Sequence, residues 1–449
     1  MDLIIYNANI VTEEKTISGF IGIENGKFAV IGEGRPEMDA KEMEDAGGNY
    51  ILPGAIDTHP HFFDPGAEWR EDFRHGTRAA ASGGFTTVLD MPNTTPPVKD
   101  RKTFELKMQR AKENSLIDFA FWGSAMPDNI HEFEVLKELG CIAFKAFTID
   151  AGPDFMWSDE YDQFREMEKL AELGCIYGAH AENPGMVKRF SEKNISREWS
   201  LEVHDAERPW QAELTAIHTL LLYAGCTGCR LHICHMSIPE GARLIAEAKM
   251  KGINVTAETC SHYLTLNYED HAEYGTFARI NPPLRSRERM NRLWEFVLDG
   301  TIDYLGTDHA PYLEEEKLPG DGNLRNAMCG APEIDIAIPL LLDEGVKRRN
   351  MSLQRFAAFT AANAAKRFRL YPKKGAIMVG SDADFYIADL NAGWICSRKN
   401  TFSKSKVCRF AHEGKALSSR IVSTYLRGNV IFENGRIKKE PGYGRYISV

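Results

Sequence analysis

The pattern of apolar and polar positions divides the chain into two regimes. Both ends read as short strands and turns. Residues 2–11 are mostly apolar and rich in isoleucine, and two further β-like runs, 19–23 and 27–31, flank Glu24-Asn25-Gly26. Asn-Gly between such runs is the strongest short hairpin signal. The C-terminal part has the same character. Residues 384–389 and 423–427 are strand-like, and 430–432 meets 436–437 across Glu433-Asn434-Gly435. Two β-rich ends around a different middle predict one small β-sandwich domain built from both termini, residues 1–50 plus 372–449.

Between them, over 51–371, β-rich runs alternate with helical periodicity. Strands are predicted at 55–61, 86–91, 118–124, 142–147, 176–181, 230–235, 253–259 and 303–308. Helices fall between them, among others at 102–113, 159–173, 210–223, 240–251 and 287–298. Gly84, Gly140, Gly174, Gly225, Gly252 and Gly300 stand where a helix must stop before the next strand and the chain needs φ > 0. Eight such repeats predict an α/β fold of the (β/α)8 type, a TIM-like barrel, rather than a doubly wound sheet. No glycine-rich phosphate fingerprint follows the first strand, which argues against a nucleotide site.

Composition narrows the classes of partner. With 43% hydrophobic and 26% charged residues the chain is neither disordered nor fibrous. No run approaches the roughly 18 apolar residues of a membrane span. The start, Met1-Asp2-Leu3-Ile4-Ile5, carries no basic leader, so a cytoplasmic location is expected. A net charge of −10 argues against nucleic acid or an anionic membrane as partner. Nine scattered cysteines, with one isolated pair at Cys226 and Cys229, read as reduced thiols rather than a structural zinc site.

In a barrel of this kind catalytic groups come from the C-terminal ends of the strands. Those ends hold His59, His61, Lys145, His180, His235 and Asp308. In Asp57-Thr58-His59-Pro60-His61 two imidazoles two residues apart point to one face of a strand. Neutral imidazole suits zinc and its neighbours. Lys145 interrupts the apolar run Ile142-Ala143-Phe144-Lys145-Ala146-Phe147. An amine buried there is costly as a cation and nucleophilic when neutral, so it can add carbon dioxide and become a carbamate. A lysine paired with a carboxylate is the plainer reading of that position, and the neighbouring ligand set favours the first. His232, three residues before His235, is expected on the opposite side of its strand and structural. His309 is left without a role.

These motifs, in order PGAIDTHPH, AFKAFT, GAHAEN, HICHMS, ETCSHYLTL, NPPLR, GTDHAP and GSDADFYIAD, resemble the cyclic amidohydrolases: hydantoinases and dihydropyrimidinases, allantoinases and dihydroorotases. The likeness spans nearly the whole chain. It implies a barrel with a flanking β-sandwich, a homotetramer or homodimer, and two divalent metals, commonly zinc, bridged by a carboxylated lysine and a hydroxide. Matched residue by residue, it implies His59, His61 and Asp308 on one metal, His180 and His235 on the other, and Lys145 between them. The implied reaction is attack by the bridging hydroxide on a ring amide, with Asp308 as general base and then acid.

The choice of ring rests on fewer residues. Dihydroorotases carry an arginine two positions after the second histidine to grip the substrate carboxylate, and here Phe63 stands there. Met91-Pro92-Asn93-Thr94 resembles the dihydroorotase pattern, so Asn93 is a candidate contact. The tyrosine that hydantoinases place five residues after the lysine is replaced by Asp150. HFFDPGAEWREDFRHGTRAAASGGFTT and RPWQAELTAI resemble allantoinases. A neutral cyclic ureide, allantoin or a hydantoin, is expected as the small-molecule substrate, with Asn281 a further ring contact. Dihydroorotase is the alternative, and a non-catalytic assembly protein of the dihydropyrimidinase type a remote one. A mononuclear deaminase would have no use for Lys145. Residues 320–331 are a candidate lid.

Overall fold

In the computed structural model, which describes residues 1–407 and 411–448, eight parallel strands follow one another round a barrel. They are β1 (Ala55–Asp57), β2 (Phe85–Asp90), β3 (Asp118–Ser124), β4 (Ala143–Phe147), β5 (Ile176–His180), β6 (Arg230–Ile233), β7 (Val255–Thr259) and β8 (Tyr304–Leu305). Each pairs with its successor in sequence. The seam between the last and first strands is closed by side chain and loop. The Asp57 carboxylate accepts from the Thr307 backbone at 2.9 Å and its hydroxyl at 2.5 Å, and the His61 backbone donates to the His309 carbonyl at 2.8 Å.

The predicted helices form at Arg101–Asn114, Glu160–Leu173, Trp210–Thr227, Pro239–Met250 and Arg287–Leu298. Asp100, Asp159 and Ser286 cap three of them by accepting first-turn backbone N–H groups. One predicted stop moves. Gly225 lies inside the Trp210–Thr227 helix, and Gly228 is the residue that turns left-handed, at φ 72°, three positions later.

The two termini build a nine-stranded sheet. Its centre is Leu3–Val11, which pairs antiparallel with Thr16–Glu24 and parallel with Glu42–Asp45 and Tyr50–Pro53. Phe385–Asp389 then joins Tyr50–Pro53, followed by Arg420–Leu426, Asn429–Glu433 and Arg436–Ile437. Both predicted Asn-Gly turns adopt positive φ at both residues, Asn25-Gly26 and Asn434-Gly435, as the twist of a hairpin requires. Tyr50–Pro53 belongs to this sheet, so the chain crosses to the barrel at Gly54 rather than at residue 51. The C-terminal tail returns to the barrel, where Tyr446 packs against Phe104, Phe119 and Phe121. Every described cysteine is free, with Cys226 exposed and Cys229 buried.

Lys374 ties the terminal sheet to the lower end of β3. Its ammonium is buried and reaches Asp118 at 2.6 Å, Asp384 at 2.5 Å and Asp382 at 3.0 Å, while Arg427 adds a second ion pair to Asp118. Removing one partner from a buried ion cluster leaves uncompensated charge, so Lys374→Met should cost about 3–5 kcal/mol. Urea unfolding of the variant measures it, and an unchanged midpoint would show that Arg427 alone holds the junction.

Candidate active site

The site lies where the barrel strands end. β1 stops at Asp57, and Thr58-His59-Pro60-His61 continues as an extended loop whose two imidazoles meet with ring centroids 5.3 Å apart. Lys145, buried on β4, places Nζ 3.4 Å from His59 Nε2. Asp308, beyond β8, brings one carboxylate oxygen to 3.6 Å from His59 Nε2 and 3.2 Å from His61 Nε2. His180 ends β5, and its Nδ1 faces His235 Nε2 at 3.1 Å. The His59 and His235 rings are 5.2 Å apart, which joins the two groups. All six predicted residues therefore converge on one mouth.

The imidazoles are oriented from behind. His59 Nδ1 is hydrogen-bonded to the Glu258 carboxylate, which also accepts from Thr58 Oγ1 at 2.5 Å and from the His235 backbone N–H at 3.3 Å. With its proton directed to Glu258, His59 presents the Nε2 lone pair to the cavity. His180 does the same in mirror fashion: Nε2 bonds Glu182 at 2.7 Å, which leaves Nδ1 bare toward His235. Glu182 is in turn gripped by Arg208 through Nε at 3.1 Å and through Nη2.

Electrostatics keep these rings in the ligand form. Burial, reinforced by the charge of Lys145, pushes His59 down to about 4. Burial lowers His180, and burial with Lys145 takes His235 well below the usual histidine range. Burial alone would raise Asp308, but the hydrogen bond from His61 holds it below its ordinary value. Neutral imidazoles facing each other with bare nitrogens, beside an ionised carboxylate, form a cation-binding donor set. The ligand atoms of His59, His61 and Asp308 lie within 4.8 Å of one another, a span that one metal ion can satisfy. The residues present fit the metal-binding expectation.

A cavity of about 500 Å³ opens above this cluster. The other predicted contacts line it: Phe63, stacked on His61 with centroids 5.9 Å apart, Asn93, and Asn281. Asn281 Oδ1 lies 3.0 Å from His204 Nε2, so its amide nitrogen is free to face the cavity. Asp150 also lines the wall. Of the candidate lid, Ala327 to Gly330 form part of the wall, and Lys317 pins the segment by donating to the Met328 and Gly330 carbonyls.

One expectation for a histidine is revised, and a second histidine, left without a role, gains one. His232 does not face away from the site. Its Nε2 lies 3.3 Å from Glu258, and its Nδ1 meets the Tyr304 hydroxyl at 2.9 Å inside the barrel. The alternation that would separate it from His235 ends with β6 at Ile233, and His235 sits at φ 36°, which turns its ring back inward. His309 is an internal brace: Nδ1 accepts the Glu333 N–H at 3.1 Å, and Nε2 lies 3.3 Å from Glu71. Glu258, Glu182, Arg208, Arg70 and Tyr312 escape sequence reasoning. Of these only Glu258 carries a local signal, an acidic residue within a buried strand, the same mark that singles out Lys145.

Residues 50–430 match the amidohydrolase family. The chain is 37% identical over 440 residues to an allantoinase of Escherichia coli K12, across 96% of this chain and 95% of that protein. Its fold superposes on the L-hydantoinase (dihydropyrimidinase) of Arthrobacter aurescens with a TM-score of 0.96 and 31% identity over 100% of both chains. The dihydropyrimidinase of Brevibacillus agri NCHU1002 gives 0.91 and 29%, over 100% of this chain and 98% of that one. The chain belongs to the amidohydrolase family, whose members depend on metal ions.

Because Glu258 sets the tautomer and angle of His59, Glu258→Gln should weaken divalent-cation binding by about 10–100-fold. Competition with a chelator reads this directly, and wild-type affinity in the variant would mean that packing alone orients the ring.

Proposed function

We propose that this member of the amidohydrolase family hydrolyses a ring amide C–N bond in a neutral cyclic ureide, with allantoin the first candidate. The reading is supported by the 37% identity to allantoinases across 96% of the chain and by the charge distribution of the cavity. Outside the cation-binding cluster, the two guanidiniums that line the cavity already have carboxylate partners, Arg70 in Glu316 and Arg208 in Glu182. Phe63 fills the position where a carboxylate-gripping arginine would stand. A carboxylated ring such as dihydroorotate would meet guanidiniums whose charge is already offset by a carboxylate. The convergence of all six polar groups also argues against a non-catalytic assembly protein.

His59, His61 and Asp308 would hold one divalent cation and His180 and His235 the other, zinc by donor chemistry, with Lys145 between them as its carbamate. When bound, such ions lower the pKa of water and polarise a carbonyl. The remaining work belongs to the chain. Asp308, ionised and beside His61, takes the proton of the attacking water and returns it to the departing ring nitrogen. Asn281 hydrogen-bonds the ring and fixes its face, and Asn93 is a further substrate contact. We extend the proposal to a cytoplasmic homodimer or homotetramer; no helix among the described residues is long and apolar enough to cross a membrane.

Ring opening of allantoin, hydantoin, dihydrouracil and dihydroorotate by the zinc-loaded protein tests the substrate class. Preference for a neutral ureide is expected, and preference for dihydroorotate would overturn it. Asp308→Asn should lower kcat by about 10²–10⁴-fold; a near-normal rate would remove Asp308 from proton transfer.

A further inference from the structure

The cavity extends well past the cation-binding cluster, and its outer wall has a construction of its own. Phe63 is held at φ 55°, a left-handed conformation that a bulky residue rarely adopts. That conformation lays its ring between His61 and Tyr312, with centroids 5.9 and 5.5 Å away. The Arg70 guanidinium sits against both aromatic faces, 5.5 Å from the Phe63 centroid and 4.9 Å from that of Tyr312. Glu316 fixes it from the other side, accepting from Nε at 2.8 Å and pairing with Nη2 at 2.5 Å. Glu316 is itself anchored, since its second oxygen accepts the Leu313 N–H at 2.9 Å.

This arrangement offsets the charge of Arg70 and lays its guanidinium against the two rings, with Nη1 outside the ion pair. A guanidinium presented this way still offers N–H donors, with its positive charge offset by the Glu316 carboxylate. Asn93 lines the same cavity, and its side-chain oxygen is buried without a hydrogen-bond partner. A buried acceptor in that state gains from a ligand that donates to it. Donor and unpartnered acceptor on the wall of one cavity match a planar group that carries a carbonyl and an amide N–H.

We infer that Arg70, held by Glu316 on the Phe63–Tyr312 platform, is a specificity-determining residue that reads a neutral amide or ureido arm on the substrate ring, with Asn93 accepting the arm's N–H. The inference rests on the ring-opening activity proposed above and specifies how the substrate is chosen. Allantoin carries such an arm; hydantoin is a related ring without it.

The test compares kcat/KM for allantoin and hydantoin in the metal-loaded wild type, in Arg70→Met, and in Arg70→Lys. Methionine keeps length and apolar contact while removing the donors; lysine keeps the charge and loses the planar fork. Loss of a hydrogen bond to a charged group predicts that the allantoin-to-hydantoin ratio falls about 10- to 100-fold in Arg70→Met, mainly through KM, and is only partly restored in Arg70→Lys. An equal fall for both rings, or an unchanged ratio, overturns the inference, and retained metal content separates either result from misfolding. A wild type that opens hydantoin but not allantoin would overturn the choice of allantoin instead. The arm is then read on hydantoins bearing a carboxamidomethyl or an ethyl group at the ring carbon. Wild type should prefer the amide and Arg70→Met should lose that preference, and a preference that survives in Arg70→Met refutes the role of Arg70.

Discussion

The mouth of this barrel is organised around one buried carboxylate. Glu258 has no solvent exposure, yet it is held well below the ordinary carboxylate range, against the desolvation that would raise it, by the imidazoles of His59 and His232 beside it. An ionised group in that position is tolerable only when its oxygens are fully occupied. Thr58, His59 and the His235 backbone supply the bonds, so the same requirement that keeps Glu258 stable fixes two of the candidate ligands. Gly306 makes the room: a Cβ there would lie 2.5 Å from a Glu258 oxygen. A residue on β7 thus sets the geometry of residues that follow β1 and β6.

Regular alternation builds the barrel, and departures from it build the site. Along β3 every residue is buried, as expected for a parallel strand covered on both sides. At the strand ends three non-glycine residues, Phe63, His235 and Asp308, take positive φ. Each departure turns a side chain into the cavity that continued strand geometry would have carried elsewhere. Backbone strain of this kind persists only where surroundings over-determine it. The surroundings here are the Tyr312 and His61 rings around Phe63, the Glu258 bond at the His235 backbone, and the His61 contact at Asp308.

Much of this is legible in the chain itself. The eight strands and the six convergent residues stand out because a histidine, lysine or aspartate at the end of an apolar run has no packing reason to be there. Glu258 bears the same mark in Val255–Thr259, where only the surrounding motif draws attention to it. The misplacement of His232 comes from extending strand periodicity two residues past the real end of β6. Arg208 and Arg70 lie inside the stretches RPWQAELTAI and HFFDPGAEWREDFRHGTRAAASGGFTT, yet nothing singles them out there, because an arginine at a helix end or in a loop is ordinary in sequence. Their function comes from partners 26 and 246 residues distant, Glu182 and Glu316. Contacts of that separation are created by the fold and have no local pattern to betray them.

Behind the cavity the charges are paired off. Arg208 is matched by Glu182, Arg70 by Glu316, and Arg285 by Asp205 and Glu213. Arg285 also donates to the Arg208 carbonyl at 2.7 Å and to Ser237 at 3.0 Å, which links these pairs to the turn that carries His235. Each of these cations is cancelled close by, while the carboxylates of Asp150 and Asp154, which also line the cavity, stand outside these pairs. A neutral ring of the kind proposed above would enter without strong ground-state attraction to these paired cations. The preorganised groups of the ligand cluster would act on it most as an oxyanion develops at the ring carbonyl, which would concentrate binding energy in the transition state. A carboxylated substrate would draw on the same cluster from the start, and the advantage would be lost.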